Sequence, residues 1–503
     1  MRVKLLIANR GEIALRIIRT CKKLGVRTVL VHSDPDAESL PIYYVTEKYP
    51  IGGATPAESY LSVFKIIDAA LKTGCDGIHP GYGFLAEDPA FVRACEEKGL
   101  AFVGPTSSAL EKLANKLTAR RTMHDASIPV IPGSDGPVND EEEALAVCDK
   151  IGYPVVLKAV YGGGGRGMRV ARSGDDVRRF YRVIRVESAA AFGRDEVYIE
   201  KLLMNPRHVE VQAVAAGNGK IVTLGERECS IQRRHQKLLE EAPSTALNDE
   251  ARQALSDAAK KGLAAAGYTN AGTVEFLLDQ FGKFYFLEVN KRLQVEHLVT
   301  ELTTGIDLVE EQLRVAFDGT LNLTQNEVSV QGWAINCRIN AEDPRRGFAP
   351  SPGRIIQFQP PSGPGIRIDS ALYAGYVVSE YYDSMIAKLA AWGRSRAEAI
   401  QRMNVALDEF EIAGIATTLP LHKAIMRDEN FVRGAFDTAY LDRVLPYMNA
   451  ELVEIEKLAA AAAAVEKMLS PHVRTGERQA ISGSRWRTIA LAESMRATSK
   501  VEL

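Results

Sequence analysis

Several large protein classes are excluded by what this sequence lacks. No apolar run reaches the roughly 18 residues needed to span a bilayer, so no membrane association is expected. The N-terminus, Met1-Arg-Val-Lys-Leu-Leu-Ile-Ala8, is charged and turns at once into a strand pattern, unlike a signal peptide. Cysteine is sparse: the six, at 21, 75, 95, 148, 229 and 337, are scattered with no metal-type pairing and read as reduced thiols of a cytoplasmic protein. Charge of one sign is missing as well. A net charge of −2 leaves no basic excess, which argues against nucleic acid as a partner. No Gly-x-Gly-x-x-Gly follows the first strand, so a nicotinamide site is not expected. No Gly-Lys-Ser/Thr closes the main glycine cluster, so it is not a Walker loop. There is no internal repeat.

What remains is an ordinary globular composition, 46% hydrophobic and 25% charged, long enough at 503 residues for two to four domains. The first hundred residues alternate strand and helix signals: strands at Val3–Ala8, Val26–His32, near Gly77–His79 and near Ala101–Gly104, with a helix running to Cys21. Such alternation predicts a parallel sheet wound with helices. A second unit begins near Leu113–Lys116. It contains the strand Pro154–Val160, the loop Tyr161-Gly-Gly-Gly-Gly-Arg-Gly167 and the strand Met168–Ala171. Bare glycine amides can approach phosphate oxygens closely. With Lys158 on the strand that feeds the loop, the hairpin reads as a lid over phosphates rather than a plain flexible tip. A third unit starts at about 331, with the strand Gly332–Asn340, turns between Pro350 and Gly365, then further strands and a helix to about 445. After Asn449 the composition shifts. Ala450–Leu469 has a helical stripe of Leu452, Ile455, Leu458, Ala462, Val465 and Leu469, suited equally to folding back or to docking on a neighbouring chain. Residues 470–503 are polar, rich in Arg and Ser.

The chemistry concentrates in Glu288-Val-Asn290-Lys-Arg292-Leu-Gln294-Val-Glu296. On an extended backbone these five polar side chains would share one face, and a buried polar row needs partners such as metal ions or anions. The preceding segment, Gly272–Leu278 and Lys283–Glu288 about the turn Asp279–Gly282, reads as a hairpin with one carboxylate on each apolar arm. Two carboxylates and an amide suit a hard cation, magnesium above all, bridging to substrate phosphates. The basic segment Gln232-Arg-Arg-His235-Gln-Lys237 is either a solvated face or a second part of the same site.

The glycine hairpin, Lys116, Lys158 and the paired carboxylate strands together resemble the ATP-grasp fold. More narrowly, the chain resembles the biotin carboxylase component of biotin-dependent carboxylases. The resemblance is carried by Ile7–Ala14, His79–Leu85, Gly162–Met168, Asn205–Gln212, Cys229–Lys237, Arg292–His297, Arg338–Pro344 and Tyr382–Lys388, in the family's order over residues 1 to about 446. It implies an N-terminal parallel α/β domain (1–115), an ATP-grasp domain (116–330) with a mobile glycine-rich lid at about 131–203, a mixed α+β C-terminal domain (331–446) and a helical or flexible tail (447–503).

The resemblance also implies roles for individual residues. Lys116, Lys158, Gly164, Gly165, Met168, Glu200, Lys201, Leu203, His208, Gln232, His235 and Leu277 would hold ATP. Glu275, Glu288 and Asn290 would carry two magnesium ions, with manganese as the alternative metal. Lys237, Arg292, Gln294, Val295 and Glu296 would cradle bicarbonate, with Glu296 as the base, kept ionised beside Arg292 and Lys237. Arg338 would face the biotin ureido oxygen, with Tyr82 and Asp383 nearby. Lys291, Leu298, Trp333 and Asn336 depart from the family's pattern, and Trp333 is expected to affect packing or an interface between protomers.

No Met-Lys-Met biotin acceptor is present. A separate carboxyltransferase and a biotin carboxyl carrier protein or other biotinylated partner are therefore implied, and the resemblance implies a homodimer or higher assembly. The tail resembles that of stand-alone biotin carboxylase components of pyruvate or acyl-CoA carboxylases, with pyruvate or an acyl-CoA as final acceptor. The competing readings are an ATP-grasp ligase joining a carboxylate to an amine, and a non-catalytic scaffold within a carboxylase complex.

Overall fold

Lys4–Ile7 buries Leu5, Leu6 and Ile7 completely, as a central parallel strand should. It lies in the middle of a five-stranded parallel sheet, ordered Glu47–Pro50, Arg27–His32, Lys4–Ile7, Gly77–His79 and Ala101–Phe102. The helix Gly11–Lys23 packs on it through Ile13, Ala14, Ile17 and Ile18, spaced by three and four. The computed structural model describes residues 3–160, 167–448 and positions 457, 461 and 465, apart from the side chains at 191 and 192. The glycine loop and nearly all of the expected tail helix lie outside the described residues. Met448 is buried and closes the core of the first unit.

The lid strands form as expected. Val155–Ala159 pairs antiparallel with Met168–Ala171 on one side and Val197–Lys201 on the other, setting Lys158 opposite Met168. The helices Glu141–Ile151 and Gly174–Phe192 cover this small sheet through Ala144, Cys148, Val177 and Ile184.

The functional scaffold is an eight-stranded antiparallel sheet. Its order is Phe284–Asn290, Asn270–Leu278, Arg207–Ala215, Ile221–Arg233, Gln236–Ala242, Trp333–Asn340, Met385–Gly393 and Ile366–Ser370. The sheet therefore runs straight across position 330, through the pairing of Gln236–Ala242 with Trp333–Asn340.

Two local features depart from regular strands. The strand beginning at Ile221 runs past Leu224. Gly225, at φ +80°, absorbs a shift in register, and the strand continues to Arg233. Arg234 and His235 then make a two-residue turn with φ of +49° and +65°, a hairpin geometry rarely occupied by such side chains. The extended row expected over Glu288–Glu296 ends at Asn290. Leu293 drops fully into the core, and the chain turns at Val295 and Glu296 into the helix His297–Thr304.

Candidate active site

Three carboxylates stand directly opposite one another on adjacent strands: Glu210 faces Glu275, and Glu275 faces Glu288. Like charges in such positions repel, so the arrangement needs cations. Lys237 supplies one. Its ammonium reaches Glu210 Oε2 at 2.5 Å, Glu275 Oε1 at 2.6 Å and Glu296 Oε1 at 2.8 Å, using all three of its N–H donors. Burial would lower the Lys237 pKa, but the three carboxylates hold it well above the ordinary lysine value. Burial likewise would raise Glu210, yet Lys237 and Arg227 bring it down to about 2.

Glu296 sits between Lys237 and Arg338, whose Nη2 lies 2.8 Å from Oε2. Burial pushes its pKa up, and Lys237 and then Arg338 more than reverse this, so it is ionised at neutral pH. The second cation beside Glu296 is thus Arg338, not Arg292 as expected. Arg292 instead donates to Asn290 Oδ1 at 3.3 Å and to the Leu293 carbonyl at 3.2 Å, and lies 3.6 Å from Glu87. The turn that follows Asn290 directs it there. Arg338 is fixed on its other side by Glu240, Nε to Oε1 at 2.6 Å.

Glu288 is exposed to the cavity. Burial and then the neighbouring Glu275 raise its pKa, with Lys116 opposing. Asn290 donates to Glu275 Oε1 at 2.6 Å. The carboxylates of Glu288 and Glu275 beside an amide oxygen, with Glu288 short of compensating positive charge, are the donor set a magnesium ion takes. The residues present fit such an ion.

Towards the lid, Glu200 joins Lys158 (2.5 Å) and Arg120 (2.8 Å). Lys201 turns its ammonium to the carbonyls of Gly152 and Tyr153, and its amide donates to the Pro132 carbonyl. Gln232 donates to the Cys229 carbonyl and lies 2.8 Å from His208 Nδ1, while His208 Nε2 lies 2.9 Å from Glu275. Burial lowers the Lys116 and His235 pKa values. At the far end, the Tyr82 hydroxyl is buried without a hydrogen-bond partner among the described residues, its ring 5.6 Å from the Lys388 ammonium. Asp383 accepts from the Met385 amide.

Most of these side chains line one cavity of about 990 Å³, and Glu210, Arg227 and Glu240 stand behind its wall. It contains every expected site residue among those described, from Lys116, Met168, Leu203 and Leu277 at the lid to Gln294, Val295, Arg338 and Asp383 at the other end. Gly164 and Gly165 lie outside the described residues. Sequence reading missed Glu210, Arg227 and Glu240. Alternation along Arg207–Ala215 puts His208, Glu210 and Gln212 on one face, a signal that could have exposed Glu210. Among the departures, Trp333 donates to Glu241 at 2.7 Å and Asn336 to Glu240 at 2.7 Å. Leu298 is fully buried, and Lys291 lies against Glu87, 3.7 Å away.

Residues 1–110 match the biotin carboxylase N-terminal domain, 115–324 the carbamoyl-phosphate synthase L chain ATP-binding domain and 336–443 the biotin carboxylase C-terminal domain. Biotin carboxylase 1 of Bacillus subtilis is 51% identical over 440 residues, covering 87% of this chain and 98% of that protein. The chain belongs to the biotin carboxylase family.

Another relative of this biotin carboxylase family member is a pyruvate carboxylase component of Methanothermobacter thermautotrophicus, 49% identical over 90% of this chain and 92% of its own. The solved biotin carboxylase of Campylobacter jejuni, in a complex described as β,γ-ATP, superposes with a TM-score of 0.86 at 45% identity, covering 88% of this chain and 99% of that one. The biotin carboxylase domain dimer of Hydrogenobacter thermophilus 2-oxoglutarate carboxylase, holding MgADP, ADP and bicarbonate, gives 0.86 at 45% identity, covering 89% and 99%. All six cysteines are free and buried. Among the described residues, no helix is long and apolar enough to cross a membrane.

Proposed function

We propose that this chain carboxylates biotin carried on a separate protein, using ATP and bicarbonate, as the first half-reaction of a biotin-dependent carboxylase. The observation that carries this reading is the meeting of Glu296 with both Lys237 and Arg338, in the same cavity as the Glu275–Glu288 pair.

Bicarbonate is a poor electrophile and the biotin ureido nitrogen a weak nucleophile, so the carboxyl group must be activated first. Lys116, Lys158, the glycine loop with Gly164 and Gly165, Met168, the Glu200–Leu203 backbone, His208, Gln232, His235 and Leu277 hold ATP. Positioning and charge neutralisation dominate phosphoryl transfer. Two divalent cations, magnesium or manganese, held by Glu275, Glu288 and Asn290, would neutralise charge on the outer phosphates. Lys237, Arg292, Gln294 and the Val295 backbone seat bicarbonate, and Glu296 accepts its proton as an oxygen attacks the γ-phosphorus. ADP leaves and carboxyphosphate forms, then breaks to CO2 and phosphate. Phosphate takes the biotin N1 proton, the nitrogen attacks CO2, and Arg338 stabilises negative charge on the ureido oxygen. Tyr82 and Asp383 border the ring.

The domain division at 115, 330 and 446 belongs to the same proposal. So do a cytoplasmic location, a homodimer or higher assembly, and partnership with a biotinylated carrier and a carboxyltransferase that delivers the carboxyl group to pyruvate or an acyl-CoA. The decisive assay is ATP cleavage by the purified chain with bicarbonate, with and without free biotin. Cleavage that needs bicarbonate and rises with biotin is expected; cleavage stimulated by an amine and a carboxylate instead would favour another ATP-grasp ligase.

A further inference from the structure

Among the described residues Arg227 is the largest side chain completely withdrawn from solvent, and all five of its N–H donors are used. Nε donates to Glu210 at 2.6 Å. Nη1 donates to Gln212 Oε1 at 2.7 Å and Thr300 at 3.0 Å. Nη2 donates to Thr273 at 3.0 Å and Gln294 Oε1 at 2.5 Å. A guanidinium has no acceptor, so whichever atom of the Gln294 amide meets Arg227 must be the oxygen. The Gln294 NH2 group is then forced the other way, towards Glu275 Oε1 at 3.0 Å and Glu210 Oε2 at 3.4 Å, on the side that opens to the cavity.

From this geometry we infer that Arg227 is a positioning residue for bicarbonate binding: it anchors the amide oxygen of Gln294 while Glu275 and Glu210 accept from the NH2 group, and so holds that side chain in place at the bicarbonate site. The inference rests on the bicarbonate site proposed above. Without Arg227 the amide oxygen loses its anchor, and Gln294 is held from one side only, by Glu275 and Glu210, so it can shift out of place. Glu210 would also lose one of its two cations and compete harder for Lys237. Lysine cannot replace arginine, because three donors on one point cannot serve partners spread around a planar fork. Arg227 touches no substrate; it acts through Gln294 and Glu210.

The test is steady-state kinetics of bicarbonate-dependent ATP cleavage by wild type, Arg227→Lys and the double variant Thr273→Val/Thr300→Val, each checked for wild-type circular dichroism and melting. Arg227→Lys is expected to raise KM for bicarbonate at least tenfold while KM for ATP stays within twofold. The double variant, which keeps the guanidinium but frees two of its five bonds, is expected to raise the bicarbonate KM several-fold with the same selectivity. It decides the question alone if Arg227→Lys does not fold. Folded variants with unchanged bicarbonate KM, or with both KM values raised in parallel as general loosening would do, overturn the inference. A wild-type chain whose ATP cleavage ignores bicarbonate would instead overturn the proposed function itself, so the two failures are distinguishable.

Discussion

The Arg338 guanidinium and the Glu296 carboxylate meet at 2.8 Å although 42 positions separate them in the chain. One residue is assigned to the biotin oxyanion and the other to the bicarbonate proton, so the two half-steps share an ion pair. Replacing Arg338 by Ala should therefore do more than remove an oxyanion donor. Carboxylation of free biotin is expected to fall by about 10²–10³-fold. Bicarbonate-dependent ATP cleavage should fall only several-fold, because Lys237 still holds Glu296. Parallel measurement of carboxybiotin and phosphate release checks this, and equal losses would remove Arg338 from its role.

Glu296→Gln keeps the shape and removes the base. Both ATP cleavage and biotin carboxylation are expected to drop by at least about 10²-fold. Normal bicarbonate-dependent ATP cleavage in this variant would show that the proton goes elsewhere.

Glu288→Gln removes the acidic oxygen that protein cations compensate least. The magnesium concentration for half-maximal ATP cleavage should rise at least tenfold, and excess chelator should abolish wild-type activity. A titration curve that superposes on wild type would count against the assignment of Glu288 as a ligand.

Stability should fall in mild acid, for a reason unconnected with catalysis. Burial lowers His422 to about 4 and His79 to about 3 from the ordinary value near 6.5. Between pH 6.5 and 4 the unfolded chain binds protons at these sites and the folded chain does not. Stability is thus fully present above about 6.5 and is lost as pH falls, by about 1.4 kcal/mol per pH unit for each group. His422 lies 2.7 Å from the Arg338 carbonyl through Nε2. His422→Gln can keep that donation without titrating, and should flatten the dependence of the denaturation midpoint on pH. An unchanged slope would contradict the assignment.

Deleting residues 449–503 while keeping the buried Met448 should leave carboxylation of free biotin within about twofold of wild type and weaken assembly with the carrier and the carboxyltransferase. Analytical gel filtration of the reconstituted complex checks it; full assembly by the shortened chain would remove the tail as a docking element.

The hairpin arms Asn270–Leu278 and Phe284–Asn290 were legible because apolar strands each bearing one carboxylate leave little other reading, and the parallel N-terminal sheet was legible from its alternating strands and helices. The row beyond Asn290 was misread because alternating polarity also suits a turn whose Leu293 plugs the core. Arg227 and Glu240 were invisible for a different reason. A charged residue on a strand gives no sign of its burial until the strands beside it are known.

Local pattern in the sequence determined which chemical groups exist and which short segments carry them: the acidic hairpin, the glycine loop, the basic turn at Arg234 and His235. Sheet order decided how they pair. Lys237 joins three carboxylates, and Arg338 rather than Arg292 completes Glu296, because Gln236–Ala242 lies between Ile221–Arg233 and Trp333–Asn340. Ion pairing depends on distances of a few ångströms in a poorly screening interior, and such distances between remote segments are fixed only when the chain folds.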